Sequence, residues 1–178
     1  MRKDRCSDHF DWAHLIECGD TFHKIAVNNW PVEEASYVAL RELATQLLDP
    51  IVKTFGGLDI TYGFCSFKLS KYITKNVAPK LDQHSAMEKN TRGNLICARR
   101  GAAVDFFVPG KTSLEVGKFI VANLPFDRLY YYGSDKPLHL SYGPEHSRAI
   151  VQMNLSKVTK KRIPKKLRNE DFLAFNGR

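Results

Sequence analysis

Two histidines and one aspartate lie near the ends of short apolar segments of this chain. His84 follows Gln83, Asp105 interrupts the apolar run 102–108, and His139 stands between two leucines. Imidazole and carboxylate groups bind zinc, and an open zinc site needs three protein ligands and a free position for water. The three residues are far apart in sequence, so they converge only if the fold brings them together. The pattern predicts a Zn²⁺ site with His84, Asp105 and His139 as ligands.

The surroundings of Asp105 and His139 favour this interpretation and leave alternatives open. A carboxylate within an apolar run needs a strong partner to offset its desolvation. A metal ion meets that need, and Arg99 or Arg100 would be the alternative partner. His139 alternates with leucines, so its side chain points away from theirs if the strand is regular. It then faces a cleft if the leucines face the core, although a histidine packed in the core would show the same pattern.

The elements that must position these residues alternate between helical and extended patterns. Leucines at helical spacing predict a helix from Val32 that ends or kinks at Pro50. Thr112 and Glu115 form a capping box that predicts a helix through Asn123. Other segments are a helix over 66–76, a long loop over 80–100, an apolar run over 102–108, and strands over 58–62, 128–132, 138–142 and 149–153. This order predicts the α+β class.

The order of segments resembles the zinc D-Ala-D-Ala carboxypeptidase-like family, peptidase M15, to which the Hedgehog signalling domain is related. The likeness covers roughly residues 9 to 153 and is carried by the segments 9–10, 40–43, 48–51, 60–63, 82–84, 101–105, 124–127 and 138–142. It implies a single Hedgehog/DD-peptidase-like domain with a small, mostly antiparallel sheet and flanking helices. It also implies that His84, Asp105 and His139 are the metal ligands of a metallopeptidase-like hydrolase.

Three departures from the family pattern bear on activity. The family places its first histidine three residues before the glycine of the Gly-x-Ala-x-Asp motif, where this chain has Ala98, so residues 85–97 would be an insertion beside the metal. The glutamate that serves as general base is missing from 130–137, where Asp135 is the only carboxylate. The substrate-binding arginine is also missing after 61–63.

Two residues near the last predicted ligand are candidates for proton transfer. Asp135 lies four residues before His139, and His146 follows the ligand strand closely. Either could act as acid or base within hydrogen-bond reach of the substrate, and His146 could instead cap a turn. The run 130–132 consists of three tyrosines, which fit either strand packing or a stacking platform for a base or sugar.

Positive charge is concentrated near the C-terminus. The chain carries +8 overall, and residues 157–168 contain seven basic residues and no acid, whereas residues 1–156 carry a net +2. We therefore predict a domain over 1–156 and a basic C-terminal tail over 157–178, extended or disordered when free. The tail suits either solubility or the binding of nucleic acid. The residues predicted to contact nucleic acid or another partner are Lys160, Lys161, Arg162, Lys165 and Lys166.

The first residues carry no apolar signal segment, and no apolar run is long enough to cross a membrane. These features predict a cytoplasmic protein without membrane contact, and release as a phage-type lysin stays open. In a reducing compartment the four cysteines are expected to be free thiols. Cys97, in the predicted insertion, is either a packed apolar residue or a reactive or metal-binding thiol.

Two functions follow from these features. The first is a divergent zinc hydrolase that acts on a peptide-like or other amide substrate by means of metal-activated water. The alternative is a nucleic-acid-associated or partner-binding protein whose metal site is structural or vestigial.

Overall fold

The computed structural model describes residues 5–73 and 82–177, which form one α+β domain. The helices are α1 (Trp12–Leu15), α2 (Gly19–Lys24), α3 (Glu34–Leu43), α4 (Asp49–Phe55), α5 (Phe67–Ser70), α6 (Ser113–Asn123) and α7 (Asn169–Ala174). The strands are β1 (Asp59–Tyr62), β2 (Ala102–Phe107), β3 (Arg128–Tyr131), β4 (Leu138–Tyr142), β5 (Ala149–Leu155) and β6 (Arg162–Leu167). The predicted α+β class and single domain are confirmed, whereas the part of the predicted 66–76 helix beyond residue 73 lies outside the described residues.

The six strands form one mixed sheet in the order β1-β2-β4-β3-β5-β6. The β3–β5 pair is parallel and the other four pairs are antiparallel, which agrees with the predicted mostly antiparallel sheet. One face carries the apolar residues of alternate positions, such as Val104, Leu129 and Leu140, and packs against the helices. The opposite face carries Asp105 and His139, which are neighbours in the β2–β4 register.

The helix predicted from Val32 continues past Pro50 by changing its geometry. A π-helical turn over Ala44–Leu48 joins α3 to α4, and Pro50 lies in the first turn of α4. Proline lacks an N–H and its ring crowds the preceding turn, so a regular helix is disfavoured there. The wider turn keeps Leu43, Leu47 and Ile51 fully buried on one side, which explains why the apolar spacing continues through the interruption.

The predicted capping box starts α6. Thr112 accepts a hydrogen bond from the Glu115 backbone N–H at 3.2 Å, and the Glu115 carboxylate accepts one from the Thr112 N–H at 2.9 Å. These two bonds satisfy backbone donors that a helix N-terminus leaves free. The helix ends at Asn123, as predicted from Pro125.

Residues 157–178 are not a tail separate from the domain. Strand β6 pairs with β5 over six registered residue pairs, and the Phe172 ring of α7 is fully buried. That ring lies over Gly117 of α6 and makes an edge-to-face contact with Tyr131, with ring centroids 5.7 Å apart. The predicted boundary at residue 156 is therefore corrected. A charged segment can add a strand to a sheet as long as its charged side chains stay in solvent, and here the buried Phe172 anchors the end of the segment.

The predicted insertion is docked on the domain. Lys89 and Leu95 form an isolated β-bridge, and Glu88 is buried. The Glu88 carboxylate accepts hydrogen bonds from the backbone of Val32 and Glu33 and from the Ser36 hydroxyl, so it caps the N-terminus of α3. None of the helices in the described parts of the chain has the length and apolar character needed to cross a membrane.

Candidate metal centre

The three predicted ligands meet on the open face of the sheet and are called here the His-Asp cluster: His84, Asp105 and His139. His139 Nδ1 lies 2.8 Å from Asp105 Oδ1 and 3.1 Å from His84 Nε2. His84 Nε2 lies 3.3 Å from Asp105 Oδ1. Both histidines are buried, and about a quarter of the Asp105 side chain is exposed. One oxygen and two nitrogens therefore form a small triangle whose carboxylate edge is open to solvent.

The orientation of His84 is fixed by a backbone carbonyl. His84 Nδ1 lies 2.9 Å from the Gly63 oxygen, so this nitrogen carries the proton in the neutral ring, and the lone pair of Nε2 points into the triangle. A carbonyl on the outer ring nitrogen is the usual partner of a metal-binding histidine. Gly63 is required there, because a Cβ at this position would lie 2.3 Å from the Leu15 oxygen.

The triangle is slightly smaller than the ligand set of a tetrahedral zinc ion. Such an ion, with bonds of about 2.0–2.2 Å, keeps its ligand atoms about 3.3–3.6 Å apart. The separations within the His-Asp cluster are 2.8, 3.1 and 3.3 Å, and two neutral nitrogens with one carboxylate oxygen are donors that Zn²⁺ accepts. The residues present therefore fit the ion that the sequence predicts.

Asp82 is a fourth residue at the site that the sequence analysis did not select. It offers a ligand atom within 4.8 Å of those of His84 and His139, and its side chain is buried. Its Oδ1 accepts a hydrogen bond from the His84 N–H at 2.9 Å, across the short 3₁₀ turn Gln83–Ser85. The signal in the sequence was a carboxylate two residues before a predicted ligand, but such a residue is more commonly an ordinary turn cap.

A buried polar network joins the turn that carries His84 to the sheet. Gln83 Nε2 donates hydrogen bonds to the Arg100 oxygen at 2.9 Å and to Asp127 Oδ2 at 2.8 Å. The other Asp127 oxygen accepts hydrogen bonds from the backbone N–H and the hydroxyl of Ser147. Because Asp127 and Gln83 are almost fully buried, these bonds are shielded from water and hold the turn against β3 and β4.

The electrostatics of the cluster favour a charged histidine beside charged carboxylates. Burial lowers the pKa of His84, but the Asp82 and Asp105 carboxylates outweigh burial and raise it to about 9. Burial also opposes ionisation of Asp105, and the positive charge of His84 with the His139 hydrogen bond brings its pKa below the usual range. The carboxylates therefore favour positive charge at this site, and a zinc ion would have to displace the His84 proton when it binds.

The three tyrosines of β3 divide between the two faces of the sheet. The Tyr130 ring stacks on His139 with centroids 4.7 Å apart, whereas Tyr131 is buried in the core. Tyr132 lies on the same face as Tyr130, two residues away, and burial together with the Asp105 and Asp82 carboxylates raises its pKa. Its phenol therefore stays neutral.

The two predicted proton-transfer residues lie in exposed turns. The Asp135 side chain is 80% exposed and pairs with Lys136 at 3.1 Å. The exposed His146 contacts the Tyr142 ring edge to face. Neither makes a hydrogen bond or ion pair with the His-Asp cluster in the described ranges 5–73 and 82–177.

The alternatives for Asp105 and Cys97 are also decided by contacts. Among the described residues the side-chain partners of Asp105 are His84 and His139, and not Arg99 or Arg100. Cys97 is a free, buried thiol that belongs to no group of potential ligands in the described part of the chain.

No family model, curated protein or solved structure matches this chain.

Proposed function

We propose that this protein is a divergent zinc-dependent hydrolase of peptide-like or other amide bonds. The observation that carries the proposal is the convergence of His84 Nε2, His139 Nδ1 and Asp105 Oδ1 within 3.3 Å of one another. Residues 21 and 34 positions apart in sequence meet in this way only through the β2–β4 pairing and the turn that carries His84. The resemblance of the segment order to the carboxypeptidase-like family supports the same reaction class.

The chemistry divides between the ion and the side chains around it. When bound, Zn²⁺ would supply an activated water and polarise an amide carbonyl. The Asp82 carboxylate is beside both histidines and takes the role of proton acceptor, in place of the glutamate that the sequence lacks. We assign to the neutral Tyr132 phenol the donation of a hydrogen bond to negative charge that develops on the substrate.

Metal content tests the ligand assignment. Purified protein should bind one zinc ion per chain, and Asp105→Ala or His139→Ala should lose it, because each change removes one of three ligands. Mass spectrometry of metals measures the zinc content per chain, and calorimetric titration measures the zinc affinity. His23→Ala is the matched control, since His23 is exposed and pairs with Glu17 outside the cluster. Stoichiometric zinc in the Asp105→Ala protein would overturn the assignment.

Release of free D-alanine from a peptide ending in D-Ala-D-Ala tests the activity. Asp82→Asn should lower turnover about 10²-fold while zinc content is kept, which is the size expected for one proton-transfer group. Asp135→Asn and His146→Ala test the proton-transfer residues that the sequence analysis proposed. A loss of turnover of about that size in either variant would favour that residue over Asp82. Equal activity in all three variants would place the base elsewhere.

A second candidate function is the binding of nucleic acid by the basic strand, the name used here for β6. Its residues 162–166 are exposed, as are Lys157, Lys160 and Lys161 in the preceding turn. A polyanion would bind with an affinity that falls steeply with salt. Fluorescence anisotropy with a single-stranded oligonucleotide, at several salt concentrations, tests this function. Replacement of Lys160, Lys161, Lys165 and Lys166 by alanine should abolish binding, with Lys24→Ala and Lys68→Ala as exposed controls.

A further inference from the structure

One continuous row of side chains joins the His-Asp cluster to the basic strand. The strand registers align Asp105 of β2 with His139 of β4, then Tyr130 of β3, Val151 of β5 and Lys166 of β6. Registered residues of neighbouring strands project from the same face of a sheet. The row therefore lies on the open face and ends in a positive charge, three strand spacings or about 14 Å from His139.

The positive end of this row is built from two residues. Arg162 lies on the same face as Lys166, four residues away along β6. Its guanidinium donates hydrogen bonds to the backbone carbonyl oxygens of Tyr132, at 3.0 Å, and of Met153, at 2.9 Å. The guanidinium also lies 5.5 Å from the centroid of the Tyr132 ring. These contacts hold the charge over β3 and β5, on the side that faces the cluster.

The charges of β6 divide between the two faces of the strand. Lys165 projects to the face opposite that of Lys166, although both residues line a groove that also contains Asp171 and Phe175. Asp171 is close enough for the Lys165 charge to lower the pKa of its carboxyl, after the larger effect of Arg168. Among the described residues no carboxylate forms an ion pair with Arg162 or Lys166. Arg162 acts on a carboxyl only at longer range, since its charge lowers the pKa of Asp135 after the larger effect of Lys136. Two positive charges without an ion-pair partner among the described residues therefore lie on the face that carries the His-Asp cluster.

We infer that the substrate is an acidic peptide that lies across β3 and β5, with its scissile amide at the His-Asp cluster and carboxylates at Arg162 and Lys166. This inference rests on the proposed function and names its substrate class. An extended peptide spans at most about 3.3–3.6 Å per residue, so the acidic residues should begin about four residues from the scissile bond. The half-buried Tyr130 ring offers an aromatic surface for the residues between, whereas Val151 is buried.

Peptide hydroxamates test the inference, because the hydroxamate binds zinc and fixes one end of the peptide at the cluster. Each peptide carries three consecutive glutamates, or three glutamines, at one to eight residues from the hydroxamate. With the zinc-loaded protein, the glutamate series should bind about tenfold more tightly than the glutamine series at spacings of four to six residues. The preference should fade at shorter spacings. Calorimetry or anisotropy gives the two affinities.

Substitutions on the two faces of β6 decide which charges are used. Lys166→Ala, alone or with Arg162→Ala, should remove most of the glutamate preference, whereas Lys165→Ala removes an equal charge from the opposite face and should keep it. The inference would be overturned if the Lys165 and Lys166 variants lost the glutamate preference equally. It would also be overturned if the preference did not depend on the distance between the glutamates and the hydroxamate. Equal losses together with oligonucleotide binding would favour the nucleic-acid function. If the hydroxamate adds no affinity to a peptide, the proposed function itself fails.

Discussion

The His-Asp cluster and the basic strand share one face of the sheet but are held in place by different means. The turn that carries His84 is fixed by buried hydrogen bonds from Gln83 to Asp127 and Arg100, and by the Gly63 carbonyl. Strand β6 is held by its backbone pairing with β5, and its side chains are exposed. A buried network fixes the positions of ligand atoms closely, whereas an exposed strand offers charge with freedom of side-chain movement.

The largest expected effect concerns the anchor of the basic strand. Phe172→Ala should lower the free energy of unfolding by about 3–5 kcal/mol, because the ring is fully buried between α6 and the sheet. Chemical denaturation measures the change. Leu173→Ala is the control, since that side chain is 39% exposed and its loss should cost less than about 1 kcal/mol. Similar small costs in both variants would restore the interpretation of residues 157–178 as a tail.

The next effect tests whether the network below the cluster positions a ligand. Asp127→Ala should lower the free energy of unfolding by about 1–3 kcal/mol, because Gln83 and Ser147 would lose the hydrogen bonds that the Asp127 carboxylate accepts. Zinc affinity should also fall by about 10- to 100-fold, since outer-shell groups hold the ligands. Asp59→Ala, at an exposed position on β1, is the control. Unchanged zinc affinity in a destabilised Asp127→Ala protein would limit Asp127 to folding.

The same comparison shows what a sequence can and cannot predict. Asp105 was selected because a carboxylate within an apolar run demands a partner, and His139 because it alternates with two leucines. Asp82 was missed because its proximity to both histidines depends on how the 83–85 turn lies against β4, which no local pattern records. Asp135 was chosen because it is the only carboxylate in the stretch 130–137 and lies four residues before His139, but the turn directs its side chain to solvent and Lys136.

Strand β6 was missed for a related reason. Its composition resembles a solvated tail, because Lys and Arg dominate and Pro164 interrupts the segment. An edge strand tolerates both features, since its outer N–H groups need no partner and its side chains stay in water. The single buried residue that anchors the segment, Phe172, lies beyond the charged run and gives only a weak apolar signal.

The smallest expected effect separates the charges of the cluster from those of the basic strand. In zinc-free protein the pKa of His84 is raised to about 9, so its protonation stabilises the folded state fully below the unfolded value near 6.5. That contribution should be lost as the pH rises through about 9. The lowered pKa of Asp105 acts in the opposite sense: its contribution is present above pH 3.8 and is lost as the pH falls below it.

Zinc-free protein should be unfolded by denaturant at a series of pH values from 3 to 10. As far as His84 and Asp105 determine the profile, the free energy of unfolding should be greatest between about pH 4 and pH 7. His84→Gln removes the histidine charge and should flatten the alkaline side of the profile, because a neutral amide does not titrate. Lys165→Ala and Lys166→Ala change charge on the basic strand, where solvent screens the interactions, and should leave the shape of the profile unaltered. An alkaline loss of stability that persists in the His84→Gln protein would assign the titration to another group and remove the electrostatic argument for a cation at this site.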